Sequence, residues 1–96
     1  MNVIKLNNLE VEVESYNKNT YLNDGVVMST AYCTLKTNDT TALNAIMLET
    51  ITSIEIKHDG TVIYTLSNLN ARIESITESL TEDRVVVNLN LAFSNT

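Results

Sequence analysis

Three carboxylates stand at every second position of Leu9-Glu10-Val11-Glu12-Val13-Glu14. On an extended strand this spacing puts them on one face, about 6.8 Å apart. Such a row holds calcium only when further oxygens complete a shell of six to eight ligands. No metal-binding motif accompanies it, and its ordinary use is a solvated face or a charged edge that discourages unwanted strand pairing. His58 is the single histidine and sits in the turn His58-Asp59-Gly60-Thr61, where a general base lacks the fixed partner it needs. Cys33, the single cysteine, has no neighbouring His or second Cys to lower its pKa. It reads as a small buried hydrophobe and excludes an intramolecular disulfide, so a reducing compartment is expected. The sequence contains no nucleophile elbow, glycine-rich phosphate loop or paired metal ligands. The expectation is therefore a non-enzyme, with no catalytic, cofactor-binding or metal residues. Tyr16 and Tyr21 flank an Asn-rich stretch, where an aromatic body with a polar tip suits a protein contact. Tyr16, Tyr21, Glu10 and Glu12 are the candidate partner-contact residues; packing over the open end of the fold is the competing use of the tyrosines.

The elements that carry these residues are strands. Leu9, Val11 and Val13 alternate with the glutamates, the period of a strand with one dry and one wet face. Residues 16–25 are polar and read as a loop that ends in Asn23-Asp24-Gly25. Residues 26–37 are β-branched and aromatic with neither face purely apolar, which predicts a strand covered on both sides or one switching faces at a bulge. Asn38-Asp39-Thr40 supplies helix N-cap candidates, after which Ala42, Leu43, Ile46 and Met47 share one side of a short helix. The same Asn38-Asp39-Thr40 matches a glycosylation acceptor, read as coincidental without a signal sequence.

Residues 51–93 predict four consecutive strands. Ile54 and Ile56 alternate with Glu55 and Lys57, and Asp59-Gly60 between alternating runs is a strong hairpin signal. In the third run a change of parity after Ala71 and Ile73 predicts a bulge near Glu74-Ser75. The fourth run is the most regular, with Val85, Val87, Leu89, Leu91 and Phe93 inward, as for a central or near-central strand. The expected fold class is mainly β: one domain over residues 1–96, a small antiparallel β-sandwich or partly open barrel with a C-terminal four-strand meander and one short α-helix. Residues 3–6 and 9–15 are the expected free edges, so that residues 1–8 would form a docking arm separable from folding.

In this 96-residue chain the formal charge is −6 with 44% hydrophobic residues, a composition that fits a globular domain. The scattered Lys and Arg do not make the basic footprint that a phosphate backbone demands, so no nucleic-acid partner is expected. The segment Val3-Ile4-Lys5-Leu6 is too short for a signal sequence or a membrane span, and no membrane partner is expected.

Leu9-Glu10-Val11-Glu12-Val13-Glu14-Ser15-Tyr16-Asn17, the run from Ile51 through His58-Asp59-Gly60, the run Asn70-Ala71-Arg72-Ile73-Glu74-Ser75-Ile76-Thr77-Glu78 and the closing Val87-Asn88-Leu89-Asn90-Leu91-Ala92-Phe93 together resemble the small β-rich structural proteins of tailed bacteriophages. The resemblance implies a virion protein assembled in the host cytoplasm. The expected role is a capsid-associated auxiliary or decoration subunit, with a tail or head-tail connector component as an alternative. Its partners would be other virion proteins, capsid or tail subunits, and a homo-oligomer is expected. A stand-alone β-sandwich module binding a carbohydrate, peptide or ion through Glu10, Glu12, Tyr16 and Tyr21 is the competing class.

Overall fold

The computed structural model describes residues 1–37 and 39–94. They form β1 (Asn2–Leu6), β2 (Leu9–Asn23), β3 (Val26–Leu35), α1 (Thr41–Ile46), β4 (Ile54–His58), β5 (Thr61–Leu66), β6 (Ala71–Thr81) and β7 (Arg84–Phe93). The chain is mainly β with one short helix, as its propensities predict. Four hairpins are closed by two-residue loops, pairing Leu6 with Leu9, Asn23 with Val26, His58 with Thr61 and Thr81 with Arg84. Two of these loops are Asp-Gly, with φ of 52° and 77° at Asp24-Gly25 and 47° and 83° at Asp59-Gly60. Positive φ at both central residues is the twist-matched hairpin turn that these dipeptides favour.

All seven strands belong to one antiparallel sheet, in the order β5-β4-β1-β2-β3-β7-β6. The long β2 serves two neighbours in turn. Its first residues, Leu9 to Glu12, pair with β1, and from Val13 onward it pairs with β3. Glu14 has no opposite residue in the β3 ladder; such a bulge bends a strand and increases its twist. The two halves of the sheet therefore close on one core. Ile4, Leu6, Ile54 and Ile56 enter it from the first half, and Leu35, Val87, Leu89, Leu91 and Phe93 from the second. Side chains of this size each contribute roughly 1.5–3 kcal/mol when fully buried. An isolated bridge, Ile51 to Ala71, links the approach to β4 with the start of β6, yet the sheet does not close into a barrel.

Several sequence expectations change here. The four strands after Ile51 pair as two hairpins, β4–β5 and β6–β7, which lie at opposite edges of the sheet. They are not one continuous meander, because β1, β2 and β3 stand between them in the sheet, and the link from β5 to β6, with Asn68 at φ 56°, bonds to Thr52 instead of closing a hairpin. The expected loop at residues 16–25 is strand up to Asn23; its polarity reflects exposure on both faces beyond the core, not loss of extension. β3 buries one face, through Ser29, Ala31, Cys33 and Leu35, and leaves Tyr32 exposed on the other. The bulge that its mixed faces suggested lies instead in its neighbour β2. The bulge predicted near Glu74-Ser75 is present, with Glu74 skipped between Ile73 and Ser75. β7 is paired on both sides, by β3 and β6.

β1 is not an edge, since β2 and β4 flank it and Ile4 and Leu6 are fully buried. Residues 1–8 thus place Ile4 and Leu6 in the core and are not a separable docking arm. In α1, Leu43 is buried and Ile46 and Met47 pack against the core, whereas Ala42 faces solvent. Asn38 lies outside the described residues. Thr40 takes the N-cap position without a side-chain cap bond; instead Thr41 N–H donates to Asp39 Oδ1 at 3.0 Å. That bond holds the Asp39 carboxyl below its usual range.

Candidate partner-binding surface

The glutamate row is neutralised by cations from other parts of the chain. Lys57 Nζ on β4 donates to Glu10 Oε1 at 3.2 Å, reaching across β1, and lies 3.8 Å from Glu55 Oε1. Lys36 Nζ sits 3.5 Å from Glu12 Oε2, and Arg84, at the tip of the β6–β7 hairpin, pairs with Glu14 at the bulge. The row works as a set of cross-strand ties on a half-wet face, where exposed pairs are individually weak. Among the described residues no group of three or more His, Cys, Asp or Glu is arranged to hold a metal ion.

The two candidate tyrosines part company. Tyr16 points inward, its ring 5.5 Å from that of Tyr64 on β5 and tilted 53° to it. Its hydroxyl is buried without a hydrogen bond among the described residues. Burial, with the Tyr64 phenol alongside, pushes the Tyr16 phenol well above its ordinary pKa. Tyr16 is thus a core-packing residue, the competing use, whereas Tyr21 lies exposed on the far part of β2. Glu10, Glu12, Tyr16 and Tyr21 do not converge on one site: the first two lie before the bulge, and the tyrosines lie beyond it on opposite faces of β2.

The other reactive groups are also accounted for. Cys33 is buried, and that burial pushes its thiol up to about 12, which leaves it protonated and inert at neutral pH. His58 is exposed, with Nδ1 2.7 Å from Asn2 Oδ1. Beside it the N-terminal ammonium donates to Asp59 Oδ1 at 2.6 Å and holds that carboxyl below the usual range. A shallow cleft of about 520 Å³, lined by Lys36, Thr37, Leu80, Asp83, Arg84 and Val85, adjoins the Arg84–Glu14 tie.

The surface that stands apart is the outer part of the β2–β3 hairpin. The core ends at the Thr20–Ser29 pair, whose hydroxyls lie 2.9 Å apart, with Ser29 buried. Ser29 opposite Phe93 is also the last pairing of β3 with β7. Val26, Val27 and Met28 therefore pair with β2 alone among the described residues. On this arm Leu22 is 72% exposed, Val26 59% and Val27 49%, with Tyr21 beside them. Solvated apolar residues gathered on one projection mark a contact surface more often than scattered ones do. Sequence reasoning passed over Leu22 because it took residues 16–25 for a loop, and it read Val26 and Val27 only as members of the strand that follows. The signal was available: apolar residues flank Asp24-Gly25 as they flank Asp59-Gly60, the pair that correctly located a hairpin.

Searches against protein-family models and curated proteins find no match to this chain. Among the described residues no helix is long and apolar enough to cross a membrane.

Proposed function

We propose that this chain is a structural protein of a bacteriophage virion, a capsid-associated auxiliary or decoration subunit that acts through protein–protein contacts and not through chemistry. The observation that carries the contact role is the β2–β3 arm, which holds Leu22, Val26 and Val27 in solvent beyond the last core pair. Ordered strands give such an arm a fixed shape, so docking it costs little conformational entropy. The rest of the sheet supplies the base, with the carboxylates of Glu10, Glu12 and Glu14 tied to Lys57, Lys36 and Arg84. The virion assignment rests on the resemblance of the strand runs to phage structural proteins. A tail or head-tail connector role uses the same arm against a different neighbour.

The test is quantitative mass spectrometry of purified particles made with the gene intact and with it deleted. Copies in a whole-number ratio to the major capsid protein support the decoration role. A ratio matching the tail or connector rings supports the alternative. Absence from particles, together with retention of a glycan or peptide by the free chain, overturns the reading in favour of a stand-alone binding module.

A further inference from the structure

The far part of β2 is an open edge, and backbone parity tells which groups it offers. In a hairpin closed by a two-residue loop the flanking residues, here Asn23 and Val26, form the hydrogen-bonded pair. Alternation along an antiparallel ladder then turns the main-chain N–H and C=O of Leu22, Thr20, Lys18 and Tyr16 away from β3. Before the bulge the parity is opposite, since Lys36 N–H donates to Glu12 O at 2.9 Å; skipping Glu14 exchanges the two sets. Among the described residues no strand pairs with residues 15–23 on that outer side.

Open edges are normally blunted by shortness, charge or a bulge. β5 has six residues with Ile63 skipped in its ladder, and β6 carries Arg72, Glu74 and Glu78 with its own bulge at Glu74. Residues 15–23 carry one charge, Lys18, and its amine is drawn 5.2 Å from the centroid of the Phe93 ring. The stretch has no proline and no internal bulge.

We propose that residues 15–23 pair antiparallel with the same residues of a second copy, across a twofold axis at Asn19, so that two sheets become one. This rests on the assembly role and names its partner. Charge makes this edge the place where a second copy can approach, because two chains of formal charge −6 repel elsewhere and residues 15–23 carry no carboxylate. Register favours Asn19 as the centre. It overlaps the whole free segment and sets Lys18 opposite Thr20, Tyr21 opposite Asn17 and Leu22 opposite Tyr16, an isologous arrangement. Centring on Lys18 would oppose two ammonium groups, and centring on Thr20 would shorten the overlap. The chosen register adds roughly eight main-chain hydrogen bonds from groups that β3 leaves free. It also covers Leu22, the most exposed apolar residue of the arm.

The experiment is sedimentation of the full chain with cysteine and charge variants. The wild type should be dimeric. Asn19 faces its own copy in a non-hydrogen-bonded pair about 4.5 Å apart between Cα atoms, within disulfide reach. Asn19→Cys should therefore form a covalent dimer on mild oxidation. Asn17→Cys should not, because its two copies stand about 13 Å apart along the strands. Asn19→Asp should weaken the dimer roughly ten- to a hundredfold, and mixing it with Asn19→Lys should restore pairing. A monomeric wild type overturns the pairing, as does a dimer indifferent to Asn19→Asp or one cross-linked equally well by Asn17→Cys. A monomer that still enters particles removes this pairing and leaves the virion role standing; a dimer absent from particles does the reverse.

Discussion

Replacing Leu22 with Ser and Val27 with Thr separates the arm from the core on which it stands. A fully buried Leu contributes roughly 1.5–3 kcal/mol, but Leu22 is 72% exposed. About a quarter of that contribution, roughly 0.4–0.8 kcal/mol, is therefore at stake at this position. Val27, 49% exposed, adds about the same, and Thr keeps the branching at Cβ that suits a strand. The double variant should lose about 1–1.5 kcal/mol, a fall in Tm of roughly 4–12 °C for a domain of this size. The comparison is Leu89→Ala, at a position with 0% exposure, where a Leu→Ala change costs about 2–5 kcal/mol. Thermal unfolding followed by circular dichroism gives both values, and recovery of each variant with purified particles gives the second axis. The arm variant should keep its fold and lose most of its incorporation. A fall in Tm equal to that of Leu89→Ala would show that the arm belongs to the core. Undiminished incorporation at a nearly native Tm would refute the arm as the docking surface.

Three further outcomes follow from individual groups. Tyr16→Phe removes a buried hydroxyl that makes no hydrogen bond within standard geometry among the described residues, with only the Tyr64 phenol alongside, and should raise stability by about 1 kcal/mol, seen as a higher Tm; a lower Tm would mean that Tyr64 satisfies the hydroxyl. Cys33 keeps its proton in the folded chain up to about 12, against 9.0 for the free thiol, so above pH 9.0 the unfolded chain binds fewer protons than the folded one. The Cys33 contribution is then complete below that pH and falls at up to about 1.4 kcal/mol per pH unit above it, with the raised Tyr16 phenol adding to the loss above pH 10.0; urea unfolding at a series of alkaline pH values should show a steeper slope in the wild type than in Cys33→Ala. Glu14→Ala, which removes the tie to Arg84 but keeps the residue count, should leave the melt nearly unchanged, while deletion of Glu14 should abolish folding. Equal damage from both changes would mean that the ion pair, not the extra residue, holds the bend.

What could be read from residues alone tracks how local the cause is. Asp59-Gly60 specifies its turn by positive φ at two adjacent residues, and the hairpin lies where the dipeptide places it. The parity change after Ile73 is equally local, and so is the bulge that it reports. The regular alternation of β7 gave its inward face correctly, because burial on one side leaves a period of two. The position of β5 and β6 at opposite edges had no such local cause. It depends on β1 entering between β4 and β2, a contact between residues some fifty positions apart. The arm was missed for a different reason. Hydrophobic alternation reports burial, and residues 17–23 are polar or exposed, with those after Thr20 lying past the core, so they are extended without being patterned.

The bulge at Glu14 explains why one strand can serve both purposes. Up to Glu12, β2 pairs with β1 and from Val13 with β3, and its apolar residues Val11 and Val13 face the core. One extra residue bends the chain and exchanges the directions of the main-chain groups. β2 then continues beyond the end of β1 with its outer groups free, still held straight by the ladder to β3. A loop at this place would project apolar side chains but could not offer a row of backbone donors and acceptors at strand spacing. A regular strand without the bulge would keep the sheet flat and separate Tyr16 from Tyr64, opening the core that anchors the arm. The glutamate that began as a candidate metal ligand therefore matters chiefly as the residue that interrupts the register, with its carboxylate tied back by Arg84.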